Sequence, residues 1–275
     1  MSTAPPDSWV PDDVPLDRPS VARMYDFFLG GGHNFAVDRQ AAQRAIALWP
    51  DLPQVMQVNR AFLRRAVDFL TAQGIEQFLD IGSGIPTAGN VHEVAQRANP
   101  AARVVYVDID PVAVAHSRAL LKDAPLTAVI QADARRPEQV LGHPETARLL
   151  DLRRPVAVLV VALLHFVSAD AEALGLIRAL RDATPRGSYL ALSHATAERA
   201  SEEMRQQAVQ LYAAATSQMT FRSPAAIARY FEGYALAEPG LVYLPRWRPE
   251  EADDLFVEDP ERSLMVGGVG RHRGR

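Results

Sequence analysis

The chain has 275 residues, 48% of them hydrophobic, with a formal net charge of −4 and a pI near 6.0, enough for one large domain with a well-buried core. That charge balance supplies no basic field to collect nucleic acid or anionic lipid, so neither partner is expected. Cysteine is absent, which removes disulfides, thiolate metal sites and cysteine nucleophiles together. The longest apolar run, Val156 to Leu164, is about half a membrane span, and the first residues carry no apolar stretch of the kind a signal peptide needs. A soluble, cytoplasmic protein is the expectation.

Residues 1–19 are rich in Pro and Asp and read as a loosely docked arm. From Ser20, the spacing of Val21, Met24, Tyr25, Phe28 and Leu29 predicts a short capped helix that Gly30-Gly31-Gly32 ends. Further helices are expected over Arg39–Leu48 and Asn59–Ala72. From Gln77 the period changes. Short apolar runs at 78–81, 103–109, 127–132, 155–166 and 188–193 alternate with helical stretches, as βαβ units do. Mostly apolar rather than alternating strands imply a parallel sheet covered on both faces. The expected fold is α/β, a doubly wound, Rossmann-like, mostly parallel sheet with extra N-terminal helices. A helix to about Ala215, another over Ser223–Phe231, and closing strands within 234–244 and 263–269 complete the prediction, and the basic tail from Arg271 reads as a frayed end. After the arm, residues 20–275 form one domain, divided into an N-terminal helical lid segment, 20–58, and a Rossmann-like core, 59–275.

The chemistry concentrates at three strand ends. Asp80-Ile81-Gly82-Ser83-Gly84 follows the first strand and precedes a helix near Asn90; glycines there let a ligand touch the backbone. Asp108, at the end of the second strand and 26 positions after Gly82, is placed to accept two ribose hydroxyls. Asp133 ends the third strand 25 positions later, where its carboxylate can accept an adenine amino group.

These residues resemble the class I S-adenosylmethionine-dependent methyltransferases, in which an acid precedes Gly-x-Gly and a second acid ends the next strand. More narrowly, Pro19 to Phe35 with Phe221-Arg222, Glu238 to Val242 and Trp247-Arg248-Pro249 look like the bacterial S-adenosyl methyltransferase family first described as a domain of unknown function (DUF574). The resemblance covers nearly the whole chain. It implies S-adenosylmethionine as cofactor, with Asp80, Gly82, Ser83 and Gly84 holding its methionine moiety, Asp108 its ribose, Asp133 and Ala134 its adenine, and Ile109 packing on the adenine face. It implies no particular acceptor, and a small molecule is the expectation. Pro86 stands where a third glycine is frequent. An NAD-dependent oxidoreductase is the nearest competitor, but its fingerprint places glycine where Thr87 stands. A cofactor-binding regulator without catalysis is the other alternative.

His165, at the apparent end of the fourth strand, is the candidate base for an acceptor hydroxyl or amine, with packing beside the cofactor as its other reading; His194 on the fifth strand poses the same choice. The remaining histidines show no metal-ligand spacing. If residues 20–35 close over the cofactor, with the three glycines as hinge, Tyr25 and Asn34 are the contacts the lid brings.

Overall fold

A computed structural model describes residues 17–86, 89–196, 198–213, 215–250 and 255–274. The predicted arm lies outside the described residues up to Leu16. Three helices come first: α1 (Val21–Phe28), α2 (Ala36–Leu48) and α3 (Leu52–Ala72). They are followed by β1 (Gln77–Ile81), α4 (Val91–Ala98), β2 (Arg103–Asp108), α5 (Pro111–Leu120), β3 (Thr127–Gln131), the short α6 (Pro137–Leu141) and α7 (Pro144–Leu149), β4 (Ala157–Val161), α8 (Asp170–Asp182) and β5 (Tyr189–Ala195). The chain closes through α9 (Glu202–Ala213), α10 (Pro224–Ala228), β6 (Tyr234–Leu236), β7 (Val242–Tyr243) and β8 (Met265–His272). None of these helices is long and apolar enough to cross a membrane.

The sheet order is β3-β2-β1-β4-β5-β8-β6, with β7 also paired to β8. The first five strands are parallel, and β8 runs antiparallel to β5, β6 and β7. Successive strand side chains point to opposite faces, and here both faces are dry. Phe78, Val104, Leu159 and Ala191 pack with α3, α4 and Trp247 on one side, whereas Leu79, Val105, Val158 and Leu190 pack with α8 and the α10 region on the other. The expected doubly wound sheet is therefore the observed one. Strand order reverses between β1 and β4, which opens a crevice beyond their carboxyl ends.

A third apolar cluster stands apart from these two. Met24 and Phe28 of α1, Ala41 and Ala45 of α2, Leu52 of α3, and Tyr212 and Ala215 of the α9 region bury one another. They form a cap above the crevice, assembled from segments far apart in the sequence. Arg18 donates to the Ala215 carbonyl at 3.1 Å and Thr216 N–H to the Pro19 carbonyl at 3.0 Å, which ties the two pieces together.

Several predicted boundaries move. The division at residue 58 falls inside α3, which begins at Leu52 with a proline in its first turn, where the missing N–H costs nothing. The fourth strand ends at Val161, because Ala162 turns left-handed (φ 55°) and 164–166 coil into a 3₁₀ turn. The predicted frayed tail is ordered as far as His272, which is buried in β8.

Candidate functional site

The turn after β1 is shaped by close packing. Gly82 has φ 75°, and a Cβ there would lie 2.8 Å from Leu163 Cδ1, so only glycine lets the loop pass the chain leaving β4. The loop is then pinned to the next strand: Gly84 N–H donates to Asp108 Oδ2 at 2.7 Å, and Asp110 N–H to Asp108 Oδ1 at 2.8 Å. Burial raises the Asp108 carboxyl to about 6, with these N–H groups pulling the other way. Asp80 has fewer compensations. Burial pushes it up to about 7, opposed by the Arg60 guanidinium and reinforced by Asp108. Ser83 Oγ is buried without a hydrogen-bond partner among the described residues, which a bound polar group would relieve.

These groups line a cavity of about 560 Å³ at the strand ends, within the range of small-molecule and cofactor sites. Ile109 is 56% exposed, and as a cavity-lining residue at a strand end it presents apolar surface to whatever binds. Beyond β3, Asp133 is gripped by Arg135 through contacts of 2.6–3.0 Å, which hold its carboxyl below the usual range. The side chain is about a quarter exposed, so this pair is readily rearranged.

The cap supplies the opposite wall. Ser20 donates to Asp110 Oδ2, while Asp110 Oδ1 caps α5 by accepting from Val112 and Ala113 N–H at 2.8 and 3.1 Å. Asp38, fully buried, accepts from Ser20 N–H, Arg23 Nε and Phe35 N–H, each at 2.8 Å. Arg23 also stands 3.9 Å from Asp110. The entry to α1 is thus bolted to the end of β2. Tyr25, Asn59 and Arg60 complete this side of the wall.

Of the predicted residues, Asp80, Gly82, Ser83, Gly84, Asp108, Ile109, Asp133, Ala134 and Tyr25 meet on this one cavity. Asn34 and His165 are not on its described wall. The Asn34 amide is committed to the turn after α1, donating to Asp26 Oδ2 at 2.7 Å and to the Gly31 carbonyl at 2.8 Å. That turn also explains Gly31: a Cβ would lie 2.0 Å from Asp26 Oδ1, so the glycine serves a close approach rather than a free hinge.

His165 is carried away from the cavity by the left-handed Ala162 and the 3₁₀ turn that follows. Its Nδ1 accepts from Ala195 N–H at 3.4 Å, and its ring stacks edge-on with His194. Burial, then His194 and Arg222, push it well below the usual histidine range. Arg222 Nη1 approaches His194 Nε2 at 3.0 Å; because a guanidinium can only donate, His194 is neutral with its proton on Nδ1, facing the Ala195 carbonyl at 2.7 Å. Burial lowers His194 to about 4. Arg222 also donates to the Leu164 and Val167 carbonyls at 2.8 Å and to Asp170 at 2.8 Å. The histidine pair and Arg222 therefore brace the loop that carries Phe166 to Ser168 into the cavity wall. Arg60 and Asn59 are among the wall residues that sequence reasoning missed.

Comparison with known proteins follows the same line. A family profile described as S-adenosyl methyltransferase matches residues 7–273. A crystal structure of a putative methyltransferase from Thermobifida fusca YX is 41% identical, covers 97% of this chain and all of that one, and superposes with a TM-score of 0.88. A DUF574 family protein from Streptomyces avermitilis MA-4680 is 42% identical over 93% of this chain and 98% of that one, with a TM-score of 0.87. The N-methyltransferase NodS from Bradyrhizobium japonicum WM9, at 12% identity and a TM-score of 0.50 over 81% of this chain and 99% of that one, shares the fold. A search of curated proteins finds no match.

Proposed function

The chain belongs to the S-adenosyl methyltransferase family, and from that premise we propose that it binds S-adenosylmethionine in the 560 Å³ cavity and methylates a small-molecule acceptor there. The carrying observation is the meeting of an acid, a glycine loop and two further strand-end acids on one wall. The cofactor supplies a methyl group bonded to a positively charged sulfur, which leaves as a neutral thioether.

The residues present fit that group. Asp80 and Arg60 offer opposite charges to the two ends of an amino-acid moiety, and the unpartnered Ser83 hydroxyl lies between the same elements. Asp108 presents a carboxylate to the ribose, Asp133 and Ala134 face the adenine edge, and the exposed Ile109 side chain covers its face. The cap excludes water and holds the acceptor in line with the methyl, and such positioning supplies much of the acceleration in a displacement whose leaving group needs no acid.

The reading is tested by calorimetric titration with S-adenosylmethionine and NAD in parallel, followed by incubation with methyl-labelled cofactor and a metabolite extract. Binding of S-adenosylmethionine alone and label in a small molecule are expected. NAD binding in its place would overturn the reading, and cofactor recovered unchanged would point to a regulator.

The raised Asp80 gives the binding a pH signature. Below about pH 7 the apoprotein holds Asp80 protonated, but a cationic ligand favours the carboxylate, so binding must expel that proton. Affinity is therefore expected to be level just above pH 7 and to fall by up to about tenfold per pH unit below it. Titrations at pH 5.5–7.5 in buffers of different ionisation enthalpy measure the proton release, and a flat profile with none would remove Asp80 from the cationic end. The stability linkage runs the opposite way with pH, because the same proton that opposes binding favours the folded apoprotein. A carboxyl raised in the folded state stabilises the apoprotein fully below its unfolded value near 3.8, and that contribution is lost as pH climbs to about 7.

A further inference from the structure

The cavity wall has three stretches. The ends of β2 and β3 make one and the glycine loop with Arg60 makes another, and on the methyltransferase reading these take the cofactor. The third lies beneath the cap at the ends of β4 and β5, where Tyr25, Asn59, Ala162 and Phe166 line the cavity.

A buried chain of hydrogen bonds runs into this third stretch. Ala162 N–H donates to Ser193 Oγ at 2.9 Å and is shared with the Ser193 carbonyl at 3.2 Å. Ser193 then gives its own hydrogen to Asn59 Oδ1 at 2.6 Å, which turns the Asn59 amide nitrogen toward Tyr25 Oη at 2.9 Å. The tyrosine oxygen thus receives one hydrogen bond and keeps its proton to give. In this structure that proton goes to the Met56 carbonyl over a long 3.3 Å, a bond easily exchanged for a better acceptor. Burial raises the phenol above its ordinary value, so Tyr25 is a donor at neutral pH and not a base. The start of the chain is enforced by the backbone: a φ of 55° at Ala162 is one that residues with a Cβ rarely adopt unless the surroundings impose it.

We infer that Tyr25 positions the methyl acceptor by donating its phenolic hydrogen to an acceptor oxygen that is already anionic, a carboxylate or an acidic phenolate. The inference rests on the methyltransferase reading and narrows its substrate. Along the described wall the titratable side chains are aspartate, arginine and tyrosine. Asp108, Asp110 and Asp133 are each engaged by N–H groups, a hydroxyl or an arginine, and Asp80 belongs to the amino-acid end. An alcohol or alkylammonium would have to lose a proton with no taker beside Tyr25 among the described wall residues. An anionic oxygen loses none: its lone pair forms the new C–O bond, the S–C pair returns to sulfur, and anion and sulfonium become a neutral ester or aryl ether and a neutral thioether. The charge-assisted bond from Tyr25 and the positive sulfur both favour that acceptor.

The test uses sinefungin, which carries an ammonium where the sulfonium methyl stands and does not react. Benzoate, benzyl alcohol and benzylamine are titrated by NMR into the sinefungin-saturated wild-type protein and the Tyr25→Phe variant. Benzoate is expected to bind about tenfold or more tightly than either comparator. Tyr25→Phe should remove the preference for benzoate over the two comparators, read at saturating sinefungin for each protein so that any change in sinefungin affinity is separated from it. Equal binding of the three probes to the wild type would overturn the inference without any variant, as would benzoate affinity unchanged in a Tyr25→Phe protein that binds sinefungin normally. Failure of the wild type to bind sinefungin at all would instead refute the cofactor reading beneath it.

Discussion

Replacing Asp108 with alanine is expected to weaken S-adenosylmethionine binding by about ten- to a hundredfold, since hydrogen bonds to a charged acceptor contribute roughly 1.5–3 kcal/mol. The effect has two sources. The ribose loses its carboxylate, and the N–H groups of Gly84 and Asp110, now held at 2.7 and 2.8 Å, lose the acceptor that fixes the glycine loop against β2. Asp108→Asn should fall between, because one oxygen remains to accept. Calorimetric titration of each folded variant measures the difference, and unchanged affinity in the alanine variant would remove Asp108 from the ribose site.

Asp38→Ala is expected to lower stability by about 3 kcal/mol, the low end of the cost of breaking a buried ion pair, because Arg23 keeps Asp110 at 3.9 Å and the Arg18 carbonyl at 3.0 Å. Arg23, 1% exposed, would keep its charge while losing the 2.8 Å partner that also holds Ser20 and Phe35 N–H. The cap should loosen from the β2 end, so cofactor affinity should fall with stability. Denaturant unfolding gives the magnitude, and a loss under about 1 kcal/mol would show that the network carries no such weight. Pairing the change with Arg23→Met should recover part of the loss, since removing both charges leaves neither buried alone. The same network bears on closure: if residues 20–35 cover the cofactor, amide exchange at 30–35 should slow when S-adenosylmethionine saturates the wild type.

The sheet and the acids at its strand ends were legible in the sequence because buried parallel strands are written as apolar runs and the polar residue that ends each run stands out. Asp108 and Asp133 needed only that contrast, whereas Asp80, inside β1, was read from its place before the glycine loop and from the family resemblance. The same rule misled at the fourth strand, where Val156 to Leu164 is one apolar run but belongs to a strand, a left-handed residue and a 3₁₀ turn. All of those positions pack against the core, and an apolar run does not say which backbone delivers it there. His165 therefore read as a strand-end residue of the site. Asn59 and Arg60 were hidden for a different reason. The helix pattern seemed to begin at Asn59, so both looked like a helix entrance, whereas α3 starts at Leu52 and places them a full turn and more inside. Asn34 was chosen for its polarity, and that polarity satisfies Asp26. The segment 215–222 has no period, and its place in the cap follows from bonds to residues far from it in the sequence.

That union of distant pieces sets an order of assembly. Arg18 and the Ala215 carbonyl are separated by 197 positions, and α1 and α2 bury their apolar stripe partly against Tyr212 and Ala215. During synthesis the first two helices emerge with each other and α3 to pack against but without Tyr212 and Ala215, while β1 to β5 can pair progressively as each βα unit is completed. Loop closure over such a span is entropically costly until the intervening sheet has brought the ends together. The roof of the cavity therefore closes only after the parallel strands have paired, so the strand-end acids are gathered before the cover that encloses them.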